Sequence, residues 1–86
     1  MIKITVNVDG MQCGMCEAHI NDAVRNAFPV KKVVSSHSKK RTVILAKQDI
    51  DDQKLRDCIN GTGYIFRSAT REPYEEGRMF SFLKKS

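Results

Sequence analysis

Ile2-Lys3-Ile4-Thr5-Val6-Asn7-Val8-Asp9-Gly10-Met11-Gln12-Cys13-Gly14-Met15-Cys16 carries the chain from one kind of periodicity into another. Apolar Ile2, Ile4, Val6 and Val8 alternate with polar Lys3, Thr5 and Asn7, the period of a half-buried strand. From residue 14 to 28 the apolar positions change to helical spacing: Cys16, Ile20, Ala23, Val24, Ala27, Phe28. A two-cysteine loop therefore joins a strand to a helix. Two thiols separated by two residues at such a turn can converge on one soft metal ion. The positive end of the helix dipole favours the thiolate that metals need. By spacing alone, the pair suits metal binding, redox chemistry or half of a structural zinc site.

Outward from this stretch, Pro29 ends the helix through its effect on the residue before it. Residues 30–36 and 41–47 read as two strands, with His37-Ser38-Lys39-Lys40 as the polar turn between them. Asp49 or Asp51 caps a second helix that turns Ile50, Leu55, Cys58 and Ile59 inward, and Gly61-Thr62-Gly63 stops it. Residues 64–69 read as a fourth strand. The order βαββαβ predicts a ferredoxin-like α/β (α+β) sandwich, four antiparallel strands with two helices on one face. In that topology the cysteine loop, the 37–40 hairpin and the Gly63-Tyr64 turn share one end of the molecule. Lys39, Lys40 and Arg41 come with the hairpin to that end.

The chain divides into a domain over residues 1–70 and a C-terminal extension over residues 71–86. Within the extension, residues 72–77 read as a turn. Met79, Phe80, Phe82 and Leu83 alternate enough for an extra strand or a short helix.

Eighty-six residues make one small domain, which buries roughly 60% of the surface its unfolded chain exposes. The net charge is +5, but the cations are scattered among acids, so nucleic acid is not an expected partner. No apolar run approaches the ~20 residues of a membrane span. Three cysteines, an odd number, argue against a disulfide framework. With no signal peptide evident at Met1, a reducing, cytoplasmic location is expected.

The chain resembles the heavy-metal-associated domain family of small copper chaperones and P-type ATPase metal-binding modules. The resemblance rests on Gly10-Met11-x-Cys13-x-x-Cys16, Ile20-x-x-Ala23-Val24, Val30-x-x-Val33 and Leu55-x-x-Cys58-Ile59-x-x-x-Gly63-Tyr64, and it covers about residues 2–69. It implies that Cys13 and Cys16 bind Cu(I) as a near-linear bis-thiolate and pass it on by ligand exchange. It also implies that Met11 packs under the loop and that Tyr64 lies beside the site. The expected partner is a metal-transporting P-type ATPase or a homologous domain. Ag(I), Zn(II) or Hg(II) as further cargo, and a dimer bridged by the metal, stay open. The sequence departs from the family at Ser35, where an apolar strand residue is usual, and at Cys58, where alanine is common.

The donor set favours a carrier over an enzyme. Zinc prefers four ligands, no second cysteine pair exists, and Gln12 rather than a carboxylate precedes Cys13. Two thiolates leave coordination positions open, which transfer requires. The rival reading is a thiol-disulfide oxidoreductase of the glutaredoxin type. It expects Pro-Tyr or similar between the cysteines, where this chain has Gly14-Met15, and a proline near the site that neither Pro29 nor Pro73 supplies. A metal sensor built on the same fold is the third reading. Met15 and His19 read as exposed residues rather than ligands, and Cys58 as a buried, inert one.

Overall fold

The structure is a computed structural model, and it describes residues 1–74. β1 (Ile2–Asp9), α1 (Gly14–Ala27), β2 (Lys32–Ser36), β3 (Arg41–Ala46), α2 (Asp52–Gly61) and β4 (Ile65–Pro73) follow the order expected from the sequence. The four strands form one antiparallel sheet in the order β2-β3-β1-β4. This is the ferredoxin-like arrangement.

Alternation decides which face of the sheet is buried. Ile4, Val6 and Val8 of β1, Val33 of β2 and Ile44 of β3 point to one side and are closed to solvent. Ile20 and Val24 of α1, with Leu55 and Ile59 of α2, cover them. Each such side chain contributes about 1.5–3 kcal/mol on leaving water. α1 lies over β2 and α2 over β4, and the two helices touch each other. No helix among the described residues is long and apolar enough to cross a membrane.

Local chemistry sets the helix ends. Phe28, before Pro29, is extended at φ −137° and ψ 149°, and its N–H closes the last turn on the Val24 carbonyl. Of the two aspartates expected to cap α2, Asp51 does so, accepting from the Gln53 N–H. Asp49 instead accepts from the Ile50 N–H and from Arg71 Nε at 2.7 Å. At the far end of α2, Gly63 takes a left-handed φ of +97° and its N–H returns to the Asn60 carbonyl.

Two boundaries differ from the sequence reading. β2 begins at Lys32 rather than residue 30, although the Lys31 N–H already pairs with the Leu45 carbonyl. β4 runs on through Thr70, Arg71 and Glu72 to Pro73, past residue 69, where the sequence reading ended the fourth strand. Glu72 and Pro73 are therefore strand residues, pairing with Lys3 and Ile2, and not the start of a turn. The extra strand or helix expected after residue 77 lies outside the described residues.

Ser35 is buried, and the fold provides for it. Its hydroxyl donates to Asn21 Oδ1 at 2.7 Å and shares a hydrogen bond with Thr42 Oγ1 at 2.8 Å. A polar link between α1, β2 and β3 thus replaces the apolar contact usual at this position.

Candidate metal centre

β1 delivers the chain to one end of the sheet, and a left-handed Gly10 (φ +102°) turns it into the cysteine loop. That φ favours a residue without Cβ, and a Cβ on Gly10 would also lie a tight 3.3 Å from Tyr64 Cδ1. Met11 then drops into the core, 6% exposed, and fixes the loop from beneath. Cys13 is the N-cap of α1. Its carbonyl receives the N–H groups of Cys16 and Glu17, while its side chain makes no capping bond to the helix.

The two sulfurs face each other at 3.9 Å. That is far beyond a disulfide bond of about 2.05 Å, and all three cysteines are free. One ion bonded to both sulfurs at about 2.3 Å can span the gap. Cys13 is exposed and Cys16 is half-buried, so the pair is open to an incoming ion or ligand.

Tyr64 adjoins the pair from the other side of the sheet end. Its hydroxyl is the largest influence on the Cys16 thiol, which falls to about 7. The Gln12 and Cys13 amides pull the same way, and desolvation opposes them. The tyrosine itself is pushed up, first by Cys16 and then by desolvation. At neutral pH the Cys16 sulfur is thus substantially thiolate, the form that binds metals.

The hairpin between β2 and β3 reaches the same end. The Val8 N–H bonds the Lys40 carbonyl at 2.9 Å, which ties the hairpin to the top of β1. Lys39, Lys40 and Arg41 are exposed there. Sequence reasoning missed a second tie, between this hairpin and α1. The His37 N–H (2.8 Å) and the His37 ring Nδ1–H (2.6 Å) both donate to Glu17 Oε2. These contacts hold the Glu17 carboxyl below its usual range, the backbone N–H first and the ring second. The available signal was the shared end of the fold, to which the topology brings both residue 17 and residue 37.

The remaining sulfur and imidazole candidates stand apart from the pair. Met15 is 69% exposed and His19 is exposed. Cys58 packs partly buried against the core, and burial pushes its thiol up. Among the described residues, no three histidine, cysteine or acidic side chains converge on one point.

No protein-family model matches the chain, and no curated protein matches it. Solved structures do. The N-terminal domain of ZntA in its Zn(II) form is 25% identical, with a TM-score of 0.69 over 87% of this chain and 97% of that one. The CopZ metallochaperone is 21% identical, with a TM-score of 0.69 over 76% of this chain and 98% of that one. Oxidized MerP from Ralstonia metallidurans is 21% identical, with a TM-score of 0.64 over 85% of this chain and 100% of that one. Strand order, helix placement and the span matched all agree with the resemblance carried by the motifs: the chain has the fold of a heavy-metal-associated domain.

Proposed function

We propose that this chain binds a soft heavy-metal ion through Cys13 and Cys16 and passes it to another protein. The observation that carries the reading is the pair of facing sulfurs, 3.9 Å apart on an exposed loop. Cu(I) is the cargo that two thiolates without further ligands suit best. CopZ, of like fold, is a metallochaperone, and the ZntA domain has a Zn(II) form. Zn(II) is therefore the second cargo to test.

Transfer proceeds by ligand exchange. An incoming thiolate bonds to the ion, one of the two chain sulfurs is released, and the charge that returns to Cys16 is met by the Tyr64 hydroxyl. Nothing is oxidised or reduced, so the chain acts as a carrier and not as a catalyst. The recipient is a P-type ATPase metal-binding domain or a relative of it. Lys39, Lys40 and Arg41 favour an acidic face on that recipient, chiefly through the rate of encounter.

X-ray absorption on reduced, metal-loaded protein tests the reading, since it reports ligand type, number and distance together. Two sulfur ligands around one Cu(I) per chain, lost in the Cys13→Ser/Cys16→Ser variant, are expected. Disulfide turnover with glutathione in protein that retains no copper would overturn the proposal in favour of an oxidoreductase.

A further inference from the structure

Two carboxylates flank the cysteine loop, Asp9 four residues before Cys13 and Glu17 directly after Cys16. Oxygen donors next to a thiolate pair shift its preference from a soft monovalent ion toward zinc, which accepts mixed sulfur and oxygen ligands. Glu17 is the better placed of the two. It lies in the first turn of α1, the helix that Cys13 caps. It also directly follows Cys16. Its carboxylate is the acidic group nearest the two cysteines in sequence.

The fold occupies both acids. Asp9 accepts from Arg67 Nε at 2.5 Å, at the point where a register shift in the β1–β4 pairing leaves Arg67 without a β1 partner. Glu17 takes the His37 backbone N–H and the His37 ring on a single oxygen, and its side chain is only 26% exposed. Cys13, Cys16 and Glu17 accordingly do not form a three-ligand cluster.

We infer that the Glu17–His37 contact determines metal specificity, by turning the Glu17 carboxylate toward the hairpin and denying Zn(II) an oxygen donor at the thiolate pair. The inference rests on the metal-binding reading above and adds to it a residue, His37, that touches no metal. His37 acts through Glu17, as a positioning residue. The hairpin thereby supplies selectivity from twenty residues away.

The test is a set of competition titrations of Zn(II) alone and Cu(I) alone against chromophoric chelators, with amide spectra confirming the fold of each variant. His37→Ala should bind Zn(II) about tenfold more tightly, the scale of one charge-assisted hydrogen bond released, with Cu(I) affinity unchanged. His37→Asn keeps a side-chain donor and should return Zn(II) affinity toward that of the starting protein. The Glu17→Gln/His37→Ala double variant should show no zinc gain, because the freed group is no longer a carboxylate. Unchanged zinc affinity in His37→Ala would overturn the inference, and so would a gain that survives in the double variant. Failure of the starting protein to hold Cu(I) or Zn(II) better than its double-serine form would instead overturn the metal-binding reading itself.

Discussion

The Tyr64 hydroxyl is the chief influence lowering the Cys16 thiol, so a residue from the turn before β4 acts on the ionisation of a sulfur at the start of α1. Removing only that hydroxyl separates its effect from that of the ring. In Tyr64→Phe the Cys16 thiol should titrate above about 7, back toward its ordinary value, with thiolate absorbance near the far ultraviolet as the readout. The sign follows from the bond, since a donor to sulfur favours the charged form. An unmoved titration would show that the phenol does not act on Cys16. Tyr64→Ala should in addition speed the loss of bound copper to a chelator, while the fold persists.

Gly10→Ala should be costly for two reasons at one atom. The left-handed φ disfavours any Cβ by about 1–2 kcal/mol, and the new methyl would press on the Tyr64 ring. Denaturant unfolding should show a loss of that order. The Cys16 titration should move upward at the same time, because the displaced ring carries the hydroxyl with it. Loss of stability without the titration shift would mean that Tyr64 keeps its place.

Ser35→Ala should destabilise by about 1–2 kcal/mol, since it leaves the fully buried Thr42 hydroxyl without the partner it now has. Ser35→Val combined with Thr42→Val removes both hydroxyls and should recover most of the loss. Chemical denaturation of the two variants beside the starting protein makes the comparison. If the double variant is no better than the single, the serine is held for its size and not its hydrogen bonds.

Asp49 is held below its ordinary range, first by the Arg71 guanidinium. Its folded value lies under its unfolded one. The stability it contributes is therefore complete above about pH 4 and is lost as pH falls through the lower, folded value. Exposure of the pair limits the amount to about 0.5 kcal/mol. Asp49→Asn should flatten the acid limb of the stability curve by that much and leave the neutral limb parallel. An acid limb identical to that of the starting protein would show that the pair contributes nothing.

Period alone made much of this architecture legible. The change from alternation to helical spacing across residues 2–28 located β1, the loop and α1, and topology then brought Tyr64 to the cysteines. The continuation of β4 was hidden because its inward position is Arg71, a residue that reads as solvent-facing. Arg71 is accommodated there by Asp49 and the Ile50 carbonyl, from the connection that precedes α2, and by Asp52 at the first position of α2. The Glu17–His37 contact was hidden for a related reason. Both residues are polar and exposed-looking in sequence, and they meet only because α1 lies over β2. Such pairings depend on how layers pack, which no local pattern records.

At the opposite pole, the Tyr74 N–H closes on the Met1 carbonyl, so the two limits of the described chain leave side by side and far from the thiols. A dye, a surface tether or a fused neighbour joined at Met1 would hang below the sheet and leave the sulfur face unobstructed. The domain can thus be anchored at Met1 from the base of the sheet, with the cysteine loop at the far pole.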